Sequence, residues 1–140
     1  MPLKMSAEEI VAVIEREFEQ VAGFYTIEAL EEGRLTVRLK VGERHLRPGG
    51  TVSGPSIFEL ADIAVWMATM SMIGPQVMAV TTNAALDFMR KPVGGRDLLA
   101  ECRLLKLGRV LAVGDVLIYS DGLEPPVARA SLTYSIPPER

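Results

Sequence analysis

The chain has 140 residues and a mean hydropathy of +0.22, the size of one domain, since single cores usually occupy about 100 to 200 residues. Its 15 Lys and Arg against 18 Asp and Glu leave a net charge of −3, which offers no basic field to a phosphate backbone and argues against nucleic acid as a partner. One cysteine and one histidine exclude an internal disulfide and a Cys/His metal site, so no metal is expected and a reducing cytoplasm is the expected location.

The opening stretch, MPLKMSAEEIVAVIEREFEQ, turns acidic at once and lacks the apolar run and small-residue cleavage site of a signal peptide. Ser6 and Glu9 have capping-box spacing, and Ile10, Val13, Ile14 and Val21 recur on one face. This predicts an amphipathic helix over 6–22, ending near Gly23. β-rich runs at 25–31 and 34–41 flank Glu32-Gly33, which reads as a hairpin turn. Two prolines and three glycines make 45–55 a loop. Residues 57–73 are apolar on nearly every face, which predicts a central helix over 55–73 with no water-facing side, wrapped by a sheet.

No charged residue occurs over 63–86, a length that would suit a membrane span. Gly74-Pro75 breaks that run and Thr81, Thr82 and Asn83 follow, so the expectation is no membrane, but a buried helix and then a buried strand. Further β-rich runs at 77–89, 98–107, 110–120 and 127–136 are separated by short turns and are expected to pair antiparallel. The pattern gives an α+β domain over 1–140, a curved antiparallel sheet around one helix. A hydrophobic fraction of 49% is high for a chain that buries only about two-thirds of its surface when folding alone, so a second copy is expected to cover part of it.

The residues richest in chemistry are SGPSIFELAD, 53–62. Gly54 precedes a proline suited to the first helical position, and its N–H lies where a developing negative oxygen could bind; equally, Gly54 could simply start the helix. Asp62 lies beyond the first turn, where capping cannot explain it, among Ile63, Ala64, Val65 and Trp66. A carboxylate there is either hydrogen-bonded in the core or exposed to a ligand cleft. Glu59 has capping-box spacing from Ser56, which predicts a structural role. His45, the only histidine, sits in a loop with no GxSxG elbow nearby, so a Ser-His-Asp triad is not expected. Cys102, Trp66 and the methionines at 67, 70, 72 and 78 read as packing residues.

Three segments together resemble the phenylacetate-pathway (PaaI-like) acyl-CoA thioesterases of the hotdog fold. HLRPGGTVSGPSIFELAD is similar to that family's loop and helix; VTTNAALDFMRKP to its strand ending in Phe-Leu-Arg-Pro; LLKLGRVLAVGDVLIYSDG to its last long hairpin. The resemblance implies hydrolysis of acyl-CoA thioesters without a cofactor, in a homodimer or homotetramer whose subunits share active sites. It implies that Asp62 is the catalytic acid, that the Gly54 N–H polarises the carbonyl, and that Thr81 or Thr82 positions water. Ser53, Pro55 and Arg47 stand where the family has a histidine, a glycine and an asparagine, which places all three at the substrate. Arg90 and Lys91, like Arg96, Arg103, Lys106 and Arg109, lie near strand ends or turns, where such residues are usually solvated charge; some could hold the phosphates of the carrier. Two rival readings remain: a hotdog β-hydroxyacyl dehydratase using His45 with Glu59, and a non-catalytic acyl-CoA-binding protein.

Overall fold

In the computed structural model, which describes residues 2–138, the stretch after Ser6 forms helix α1 (Ala7–Glu17). Residues 1, 139 and 140 of the expected 1–140 domain lie outside the described residues. The capping box is formed as read: the Ser6 hydroxyl accepts the Glu9 N–H at 3.2 Å, and Glu9 accepts the Ser6 N–H at 2.9 Å. The helix is shorter than the expected 6–22. It stops at Phe18, which leaves helical geometry and sets its ring against Trp66, and Val21 reaches the core through a 3-10 turn, Glu19–Val21. One apolar periodicity thus spans two elements, because both bury their side chains on the same surface.

Strands β1 (Tyr25–Glu31) and β2 (Arg34–Leu39) form the expected hairpin, with Glu31 opposite Arg34 across Glu32-Gly33. Helix α2 (Gly54–Ile73) follows, then β3 (Val80–Phe88), β4 (Leu98–Leu107), β5 (Leu111–Ser120) and β6 (Pro126–Ser135). All neighbours pair antiparallel in one six-stranded sheet of order β1-β2-β4-β5-β6-β3. This is the hotdog architecture, a sheet curled around a helix.

Helix α2 is long and apolar enough to cross a membrane by composition, but most of it is buried in this chain, with Leu60, Ala61, Ala64, Val65, Met67 and Met70 inaccessible. The apolar side chains that α2 shows all round are used because sheet and α1 together leave it little open surface. Gly114 on β5 permits the close approach: a Cβ there would stand 3.0 Å from a Val65 methyl carbon. Cys102 packs into the same core, and burial pushes its thiol up to about 12, so it is no thiolate nucleophile.

The strand expected to be buried is not. β3 is an edge strand paired only with β6, and Val80 and Phe88 are each 56% exposed. Met78, expected in the core, is 73% exposed just ahead of it, unlike Met67, Met70 and Met72. An uncharged run marks burial somewhere, and here only its helical half is buried within one chain.

Candidate functional site

The expected loop 45–55 is an ordered strap. Leu46 bridges Val52, the Arg47 N–H donates to Thr51 O, and Gly49 and Gly50 turn the chain at φ of +101° and +81°, where a side chain would be strained. The Ser53 N–H donates to His45 O at 2.8 Å, which ties the end of the strap to its start and fixes where α2 begins. Ser53 is the N-cap, its hydroxyl accepting the Ser56 N–H at 3.3 Å. The cap is therefore three residues earlier than the expected Ser56–Glu59 box, and Ser53, expected at the substrate, has its hydroxyl committed to the helix. Gly54 is the first helical residue, ahead of the first intrahelical bond from the Ile57 N–H to Ser53 O. A Cβ on Gly54 would lie 3.7 Å from the Phe88 ring, in ordinary contact.

Asp62 sits two turns further along α2, half-buried, and meets two hydroxyls on its Oδ1. Thr81 Oγ1 of β3 donates at 2.5 Å, and the Tyr134 hydroxyl of β6 stands 2.9 Å from Oδ1 and 3.0 Å from the Asp62 carbonyl oxygen. Thr81 and Tyr134 are cross-strand partners, so both point at the helix from adjacent positions. A β-bulge at Thr82 separates Thr81 from the rest of β3. In an unbulged strand Thr81 and Ala84, three residues apart, would face opposite sides; the extra residue lets Thr81 share the inward face with Ala84 and Leu86. The bulge also sets the two threonines apart: Thr81 meets Asp62, whereas Thr82 is exposed and bonds Thr133 O at 3.3 Å. Nothing in the local sequence named Tyr134; it could be found only as an inward position of a strand whose partners were unknown.

Glu59, one turn before Asp62, accepts from the Tyr25 hydroxyl at 2.5 Å and lies 4.0 Å from Arg44 Nη2. It caps nothing, contrary to expectation. His45 is 1% exposed and packs edge-on against Phe24. Its Nδ1 accepts the Gly42 N–H at 2.8 Å, so the proton is on Nε2, which is buried and unpartnered among the described residues. Enclosed in this way, His45 packs inside the strap with Nδ1 held by the Gly42 N–H, and no hydrogen bond joins it to Glu59 among the described residues.

Burial, then the Arg44 charge, lower the pKa of His45 below its ordinary value. With the folded value depressed, its contribution is present above the unfolded pKa of about 6.5 and is lost as pH falls through the folded value. Denaturant midpoints are therefore expected to drop below pH of about 6.5, and the His45→Gln variant to lose that component of the dependence. An unchanged slope in the variant would mean that other groups carry it.

Pro55 is exposed beside Gly54, and Arg47 and Lys91 are exposed in the strap and after β3. The Arg90 guanidinium bonds Pro126 O, and Arg96 bonds Asp121 O at 2.8 Å. A large groove on the outer face of the sheet, lined by Arg34, Glu101, Arg103, Asp115 and Arg129 among others, contains none of residues 54, 62 and 81.

Comparison with known proteins bears on this arrangement. Residues 49–126 match the thioesterase superfamily. The chain is 57% identical to a provisionally named thioesterase from Silicibacter sp. TM1040, covering 99% of this chain and 96% of that one at a TM-score of 0.92. It is 27% identical to a point mutant of the phenylacetic acid degradation protein PaaI from Thermus thermophilus, over 85% of this chain and 96% of that one, TM-score 0.70. A Streptococcus mutans UA159 protein solved with acetyl CoA is 26% identical, over 83% and 90% of the two chains, TM-score 0.72.

Proposed function

Because the chain belongs to the thioesterase superfamily and is a thioester hydrolase, we propose that it hydrolyses acyl-CoA thioesters to free acid and CoA at sites shared between two copies, with Asp62 as the catalytic carboxylate. The observation that carries this reading is the half-buried Asp62 carboxylate, held by Thr81 on an exposed edge strand. The acetyl CoA bound to the Streptococcus mutans protein supports CoA as the carrier.

Two routes use the same groups. Asp62 either takes a proton from water as it adds to the carbonyl carbon, or attacks that carbon itself to give an anhydride that water then opens. In both, the C–S bond breaks, CoA leaves as the thiol after protonation, and the carbonyl oxygen passes through an oxyanion. The Gly54 N–H at the start of α2 is the donor for that oxyanion. The reaction needs no cofactor beyond the CoA of the substrate.

One copy does not supply both groups to one carbonyl. Gly54 and Asp62 are eight residues apart on one helix, and at 1.5 Å per residue their separation is about 12 Å, whereas both must lie within about 3 Å of one reacting centre. The Asp62 of one copy therefore works with the Gly54 of another. The exposed edge strand β3, with Met78, Val80 and Phe88 uncovered, supports pairing there. Arg47, Arg90 and Lys91, exposed around this rim, would meet the CoA phosphates, and Pro55 and Thr82 would line the entrance.

A panel of acyl-CoAs with a free-thiol readout tests the reaction, and sedimentation tests the assembly. Thiol release and no dominant monomer at micromolar concentration are expected. A fully active monomer would sink the shared site, and binding of acyl-CoA without thiol release would make this a carrier instead.

A further inference from the structure

Resting on the thioesterase reading, we propose that Tyr134 is a positioning residue: it and Thr81 anchor Oδ1 of Asp62 and so present Oδ2 as the reacting oxygen. Two hydroxyls from adjacent strands converge on one carboxylate oxygen, and among the described residues Oδ2 receives no donor. A carboxylate gripped on one oxygen by two donors can neither rotate nor swap its oxygens without breaking both bonds. Of the two donors, Tyr134 is the rigid one. Its ring is 4% exposed in the core, it is opposite Ala112 on one side and Thr81 on the other, and its hydroxyl also touches the Asp62 carbonyl oxygen, tying the side chain to its own backbone. Thr81, by contrast, stands on an edge strand beside a bulge.

Burial, then the neighbouring Asp62 charge, hold the Tyr134 phenol well above its ordinary range, so it remains a donor at every pH at which the enzyme works. Glu59 shows the contrast on the same helix. It too accepts from a sheet tyrosine, Tyr25, but among the described residues no second donor fixes the same oxygen. Tyr134 touches neither substrate nor reacting atom in this scheme; it acts through Asp62.

The test is Tyr134→Phe, which keeps the ring and removes the hydroxyl, assayed with whichever acyl-CoA the wild type turns over. The expected result is a fall in kcat of about 10- to 100-fold, the loss of one hydrogen bond to a charged group, with KM within about twofold. In an Asp62→Asn background the same change should cost nothing further, because the group it positions is already gone. Tyr134→Met repeats the measurement should the Phe variant fail to assemble. Full kcat in Tyr134→Phe beside an inactive Asp62→Asn would overturn the positioning role and leave the thioesterase reading standing. A rise in KM at unchanged kcat would overturn it too, since that is the mark of a binding group. A wild type that releases no thiol would overturn both.

Discussion

Asp62→Asn is expected to lower thioester hydrolysis by about 10²-fold or more, the lower range for losing general acid–base catalysis. The substitution keeps the side chain's shape and leaves an oxygen for Thr81 and Tyr134 to donate to, so folding and assembly survive. Glu59→Gln is the control. It lies one turn away on the same helix, and its hydrogen bond from Tyr25 weakens when the charge goes, at a cost of about 1 kcal/mol in stability. Its hydrolysis should persist. Measuring initial rates and unfolding midpoints for both variants separates the roles. A correctly assembled Asp62→Asn enzyme that keeps most of its activity would make that carboxylate structural, and selective loss in Glu59→Gln would move the chemistry one turn back along α2.

The second large effect is expected from mixing. Gly54→Val places a branched side chain over the N–H at the start of α2, which should cost about 10²–10³ in rate, the range for losing an oxyanion donor. It and Asp62→Asn are each expected, alone, to keep no more than about a hundredth of the activity. Co-expressed in equal amounts with free exchange, they form mixed dimers amounting to about half of the population, and in each mixed dimer one site carries both lesions and the other none. Activity should return to about a quarter of the wild-type rate, since half of the dimers carry one intact site of two. The return should appear only on co-expression or exchange. Were both groups of a site contributed by one chain, every site in the mixture would carry a lesion and no activity would return; that result would defeat the shared-site geometry.

Much of the fold is local in origin. The Ser6–Glu9 box, the Glu32-Gly33 hairpin, the all-round apolar pattern of α2 and the bounds of β1 and β4 depend on neighbours within a few residues, and all are found where the sequence places them. Asp62 and Gly54 stood out as candidates for the same reason: a charge inside an apolar helix and a glycine before a helix-starting proline are anomalies visible without partners. The errors fall where a residue's role depends on something distant. Glu59 has the spacing of a cap, but Ser53 reaches the free N–H groups first, and a tyrosine 34 residues away takes its carboxylate. His45 reads as a loop residue, yet Phe24 and the Gly42 N–H enclose it. The uncharged run through 86 is half core and half exposed edge, because strand order is set by which strands meet, and β3 pairs only with β6. Hydrophobicity along the chain determined that the helical half of this run would be buried. Only the tertiary structure decided that the helix is covered by its own sheet while β3 is left open, and that a bulge at Thr82 and a ring from β6 bring two hydroxyls to one oxygen of Asp62, since register and long-range pairing are properties of no single segment.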